Sequence, residues 1–312
     1  MNGFGVRSAY GDLKRVLMHR PGKELARVNG SNLEEFHFAR PVDQAAFLAD
    51  YDAMLALFVE HGVEPVLLTD VLKNDDDALR YIALRPNVTY TRDLAAVFKS
   101  GAVLMSPYLR GRWWDQWVMG RAFERLGVPV LGGIEAPGYL EGGGVTVIGE
   151  DTAVASICDR ANETGLRALR DLILGKDVKY FLEVPLPFGH IHIDGLFMVL
   201  DEELCLIHKP TLDVLPCRLY EAGKKQPSYV MFLEFLDQRG MQLIPITDEE
   251  RIGGHLNVVV TRRSSRAIGF EQAIRVAAEM HRQGWCLDAF PSEELFIGNG
   301  GAHCMTCPVL VS

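Results

Sequence analysis

No stretch of this chain approaches the roughly 18 uninterrupted apolar residues of a membrane-spanning helix. Its opening segment, MNGFGVRSAYGDLKRVLMHR, has no apolar run of the signal-peptide kind. A cytoplasmic protein with no membrane span is therefore expected. There is no run of Lys and Arg to follow a phosphate backbone, and the net charge is -9, so nucleic acid is not expected as a partner. Cysteine is scarce: Cys158, Cys205, Cys217, Cys286, Cys304 and Cys307 are the only six among 312 residues, too few and too scattered for a disulfide scaffold. Most should be small buried hydrophobes. No linker or low-complexity segment interrupts the chain, which reads as one domain over residues 1–312.

What the sequence does hold is ample core, 48% hydrophobic against 23% charged. One pattern recurs five times: an amphipathic helix, a glycine at its C-terminal end, then a short β-type run. The instances are LFVEHG-VEPVLL (57–68), AFERLG-VPVLGG (122–133), LRDLILG-KDVKYFLEV (169–184), EFLDQRG-MQLIPI (234–246) and AAEMHRQG-WCLDAF (277–290). In the first, Phe47, Leu48, Tyr51, Met54, Leu55 and Phe58 fall at helical spacing, and Gly62 tolerates a left-handed cap. Further strand-like runs lie at 16–19, 96–99, 145–148, 153–157, 196–200, 204–207, 256–260 and 267–270. Strands outnumber helices by about two to one, which does not suit a plain alternating βα fold. Repetition of a mixed unit around a centre suits it better and predicts a closed, radial α/β architecture.

Polar residues that periodicity leaves unexplained gather in PNVTYTRDL (86–94), LRGRWWD (109–115), YLEGGGV (139–145), GHIHIDG (189–195) and GNGGAHCMTCP (298–308). Cys304 follows a glycine-rich stretch that lets a substrate approach closely, and is the candidate nucleophile. A zinc reading of Cys304 and Cys307 needs a second ligand pair, and no other CxxC exists. A thioredoxin-like pair belongs early, at a strand-to-helix turn, not before the strand-like PVLVS. GHIHIDG alternates with period two, so His190, His192 and Asp194 are expected on one face of an extended segment. His192 then serves as acid and base, and Asp194 as an anion aimed at a cation. A metal-binding HxH is the competing reading, without an evident set of further ligands. Glu141 sits on a turn before three glycines. Asp93, taken alone, reads as a loop carboxylate paired with Arg92.

In this order, TRD, LEGG, HxD and GGxHCMTCP, together with LKRVLMHRPG near the start, resemble the arginine deiminase and dimethylargininase families of the guanidino-group modifying superfamily, over nearly the whole chain. The resemblance implies a five-bladed pseudo-symmetric α/β propeller of ββαβ-type repeats and an enzyme that needs no cofactor and no metal. It implies Cys304 as nucleophile, His192 as proton shuttle, Glu141 as the carboxylate that orients His192, and Asp93 with Asp194 as the grip on a guanidinium. Asn87, Arg112 and Arg160 fall where deiminases place groups for the substrate's carboxylate end, and Asn299 stands where they carry an arginine. The helical insertion deiminases place before TRD has no room here. LEGGD is LEGGG, with Gly144; HxDT is HIDG, with Gly195; TRDP is TRDL.

The expected partner is thus a small guanidino compound, hydrolysed at a C–N bond through a thiouronium-like intermediate; homo-oligomerisation stays open. Alternatives are displacement of another leaving group from a guanidine-like heterocycle, such as nitrite from 2-nitroimidazole, amidinotransfer to an amine, and a non-catalytic binding protein.

Overall fold

The computed structural model describes residues 3–312. Its strands form five separate sheets in a mixed α/β fold, and all five share one three-stranded kernel. An outer strand runs antiparallel to a central one, and a crossover helix carries the chain to a third, parallel strand, as a parallel neighbour requires. In chain order, the first kernel joins Cys307–Val311 to Leu13–Met18 and then, through helix α1 (Gln44–Glu60), to Glu64–Leu67. The second runs Ala95–Val97, Ala102–Leu104, α2 (Gln116–Leu126), Val130–Gly133. The third runs Val145–Ile148, Thr152–Ile157, α3 (Glu163–Ile173), Tyr180–Pro185. The fourth runs Phe197–Val199, Leu204–Ile207, α4 (Phe232–Asp237), Gln242–Pro245. The fifth runs Val259–Arg262, Arg266–Phe270, α5 (Ile274–Arg282), Cys286–Phe290. A hairpin inserted before α4, Cys217–Glu221 with Ser228–Val230, extends the third sheet to five strands.

The local causes are those the sequence carries. Asp43 caps α1 by accepting from the N–H groups of Ala45 and Ala46, and the helix buries Phe47, Tyr51, Met54 and Phe58 along one face. Each such side chain contributes about 1.5–3 kcal/mol of apolar burial. The glycine past each crossover helix has a left-handed backbone: Gly62 at φ 74°, Gly127 at 66°, Gly175 at 80°, Gly240 at 71° and Gly284 at 84°. No helix among the described residues is long and apolar enough to cross a membrane.

Three expectations need correcting. GHIHIDG is not a strand: His192 is extended, but Ile193–Gly195 closes a 3-10 turn that buries Ile193, so the period-two face ends there. The run expected at 256–260 starts at Val259, because the N–H of Asn257 closes a turn onto the carbonyl of Gly254. The strand Ala102–Leu104 and the inserted hairpin are additional, the first because three residues are too short to carry a period.

Candidate active site

Each kernel's outer strand is preceded by a turn, and the candidate residues sit on these turns. Asp93 lies on the turn Thr91–Leu94 ahead of Ala95–Val97, and Glu141 begins the glycine turn ahead of Val145–Ile148. His192 and Asp194 flank Ile193 ahead of Phe197–Val199, and Cys304 lies three residues before Cys307–Val311. All except Glu141 line one cavity of about 270 Å³, which Asn87, Arg112, Arg160 and Asn299 also line.

Glu141 lies behind the wall, with no exposed surface. Its Oε2 is 2.8 Å from His192 Nε2, 3.3 Å from Arg160 Nη1 and 3.6 Å from Arg112 Nη1, and its Oε1 accepts from the Tyr108 N–H at 3.1 Å. Burial disfavours its charge, but Arg112, Arg160 and His192 overcome this and hold the carboxyl well below the usual range. For His192, burial also opposes the charge; Asp93, Glu141 and Asp194 outweigh it and raise the imidazole pKa. With Nε2 on Glu141, Nδ1 faces Asp93 Oδ1 at 3.9 Å and Asp194 Oδ1 at 4.0 Å. The glycines make this approach feasible. A Cβ on Gly142 would lie 2.1 Å from the carbonyl oxygen of Arg92, and one on Gly143 would lie 2.5 Å from His192 Nδ1.

Asp93 is buried and half committed: Oδ2 accepts from Arg112 Nη1 at 2.8 Å, while Oδ1 has no partner. The expected pairing with Arg92 does not form. Arg92 turns inward and its Nε donates to the carbonyl of His303 at 3.2 Å. Asp194 Oδ2 meets His303 Nδ1 at 2.9 Å and lies 4.0 Å from Cys304 Sγ. Burial, then Asp194 and Asp93, push the Cys304 thiol far above its ordinary range, so these surroundings disfavour a thiolate.

Arg112 and Arg160 line the cavity but are anchored on Asp93 and Glu141. Arg112 Nε and Nη2, Asn87 Oδ1 and the Tyr90 hydroxyl are buried without partners, and Asn87 Nδ2 donates to the Phe36 carbonyl at 2.9 Å. Asn299 has a left-handed backbone, φ 57°, and its amide donates to the His37 carbonyl at 2.9 Å. Gly195 faces open space, whereas a Cβ on Gly144 would press on Ser156 and Leu140. Donor atoms of Asp93, Glu141 and His192 lie within 4.8 Å of one another, close enough to share a cation. The Arg112 guanidinium already stands against both carboxylates there, so a metal would meet a fixed positive charge. Cys307 is buried, its Sγ against the Ala95 carbonyl.

Sequence alone does not single out Asn257, whose Nδ2 lies 3.3 Å from Cys304 Sγ, or His303, whose ring holds Asp194. The available signal for Asn257 is a lone amide between the Gly253–Gly254 turn and the apolar run 258–260.

The sequence model of the arginine deiminase family matches residues 67–310. An arginine deiminase from Listeria welshimeri serovar 6b is 23% identical over 253 residues, covering 72% of this chain and 62% of the relative's own length. Among solved structures, DDAH from Pseudomonas aeruginosa complexed with citrulline superposes with a TM-score of 0.71 at 16% identity, covering 95% of this chain and 99% of that one. SxtG, an amidinotransferase from Microseira wollei, superposes at 0.70 with 13% identity, covering 99% and 97%.

Proposed function

Because the chain belongs to the arginine deiminase family, we propose that it hydrolyses a C–N bond at a guanidinium-type carbon, with Cys304 as the nucleophile. The observation that carries this reading is one cavity in which a thiol, a glutamate-held imidazole and a buried carboxylate oxygen without a partner converge. The catalytic unit spans residues 1–312 without a helical insertion, its five kernels act as blades of a five-bladed propeller, and its setting is the cytoplasm, where thiols stay reduced.

Asp93 Oδ1 and Asp194 grip the planar cation and offset the cost of burying it. That incoming positive charge favours ionisation of the neighbouring thiol, whose proton passes to solvent and is regained when the sulfur departs. The thiolate forms a C–S bond to the guanidinium carbon. As the tetrahedral adduct collapses, the C–N bond breaks and the departing nitrogen takes its proton from His192. The same imidazole then removes a proton from water, whose oxygen adds to the thiouronium carbon. The C–S bond breaks, a ureido product leaves, and the cysteine is restored without a cofactor.

A second reading keeps this chemistry with a substrate that has no carboxylate, such as 2-nitroimidazole, from which nitrite would leave. It is favoured by Arg112 Nη1 and Arg160 Nη1 being held by Asp93 and Glu141, and by the short amide of Asn299 where an arginine is usual. A substrate panel with intact-mass detection separates the cases. An adduct on Cys304 with arginine or a methylated arginine, and citrulline as product, supports the first. Nitrite from 2-nitroimidazole without citrulline supports the second, and ornithine formed only when an amine acceptor is added indicates amidinotransfer. No adduct and no product with any of these compounds defeats both hydrolytic readings.

A further inference from the structure

The five kernels each place one turn ahead of an outer strand, and four of those turns carry Asp93, Glu141, the His192 and Asp194 pair, and Cys304. The fifth precedes Val259–Arg262 and carries Asn257, two residues before the strand, the same offset as Asp93 from Ala95. The side chain reaches the cavity and touches the sulfur.

Its orientation is fixed. Oδ1 accepts from the backbone N–H of His303 at 2.7 Å, which an amide nitrogen could not do, so Nδ2 is the atom that faces Cys304 Sγ at 3.3 Å. The amide fits there because residue 301 is glycine: a Cβ on it would lie 2.9 Å from Asn257 Cγ. The same Oδ1 contact fixes the backbone of His303, whose ring holds Asp194 Oδ2. One amide therefore connects the sulfur to the carboxylate beside it.

We propose that Asn257 is a catalytic residue of this site, the side-chain donor that stabilises the Cys304 thiolate and aims it at the substrate carbon. The proposal rests on Cys304 being the reacting sulfur. The sulfur's surroundings give the donor its importance. Burial, Asp194 and Asp93 all resist a negative charge on it, and Asn257 with the Gly301 backbone favours the charge. Tyr90 and Arg92 are further titratable groups beside it, His303 is linked to it through Asp194, and His192 lines the same cavity. A thiolate also has to depart when water opens the intermediate, so the donor acts at both steps.

The test needs no substrate. Alkylation of Cys304 by iodoacetamide, followed by peptide mass across pH, is compared in wild type, Asn257→Ala and Asn257→Asp. The aspartate keeps the size and the acceptor for His303 N–H but replaces the donor with a negative oxygen, and circular dichroism verifies its fold. At a fixed pH, alkylation is expected to slow about tenfold in the alanine variant, the loss of one hydrogen bond to a charged group, and further in the aspartate variant, with both profiles displaced to higher pH. Profiles that superimpose on wild type would overturn the proposal, even if turnover fell, because Asn257 would then only support the loop. Turnover that survives in Cys304→Ser would instead remove the parent reading, and is measured separately.

Discussion

Replacing Glu141 with glutamine takes a counter-charge from three groups at once, His192, Arg112 and Arg160, all of them buried. Breaking a buried ion set of this kind costs about 3–5 kcal/mol, which denaturant unfolding would read. The pH dependence has a definite sign. The His192 pKa is raised in the fold, so its contribution is present below the ordinary histidine value of about 6.5 and is lost as pH rises through the raised value. With glutamine at 141, the basic limb of the kcat profile should therefore move to lower pH; an unmoved limb would mean that Glu141 does not set the imidazole's protonation. Cys304→Ala should lower turnover by a factor on the order of 10⁴ or more and abolish the mass adduct while leaving the melting temperature nearly unchanged. At this scale the sequence shows which residues stand out but not what they touch. Asp93, Glu141, His192, Asp194 and Cys304 are visible as polar residues set in glycine or apolar surroundings. The partner of Asp93 is Arg112, nineteen positions away, and not its neighbour Arg92. Asn257 reaches Cys304 across 47 positions, and no local spacing encodes that contact.

Two glycines separate the demands of site and scaffold at the level of single elements. A Cβ on Gly143 would meet His192 Nδ1 at 2.5 Å, Asp194 Oδ2 at 3.0 Å and Asp93 Oδ1 at 3.1 Å. Gly143→Ala should thus cost about 10²-fold or more in kcat/KM, in line with the effect of a misplacement near 1 Å, while circular dichroism stays unchanged. Gly62 has φ 74° and open space around it, so Gly62→Ala should cost about 1–2 kcal/mol of stability and leave kcat alone. Equal effects of the two changes on activity would contradict this division. Helix α1 and the five glycine-terminated crossovers are legible because a buried face at helical spacing and a left-handed cap are local properties. GHIHIDG misleads because alternation in a short polar segment does not require a strand; the packing of Ile193 decides for a turn.

Across the whole molecule, stability against pH is set by buried groups with opposite slopes. Burial, then Arg160, pushes His37 down to about 4, so its contribution is present above the ordinary histidine value and is lost as pH falls toward 4. Burial pushes Asp115 up to about 7, so its contribution is present below the usual carboxylate range and is lost as pH climbs to about 7. The two partly cancel between those limits. Asp115→Asn removes one of them, and its melting temperature should fall more steeply than that of wild type, by several degrees, on going from pH 7 to pH 5. Parallel curves would refute the assignment. The fivefold recurrence was readable at this scale, but the partner of the strand-like PVLVS was not, because pairing across nearly the full chain leaves no trace in local pattern. That pairing bears on biosynthesis. Leu13–Met18 is made early and obtains its antiparallel neighbour only when Cys307–Val311 is made, roughly 15–60 s later at ordinary translation speeds. Cys304 lies three residues before that late strand, so on the ribosome the proposed nucleophile has no paired sheet to anchor it until Cys307–Val311 closes the first sheet.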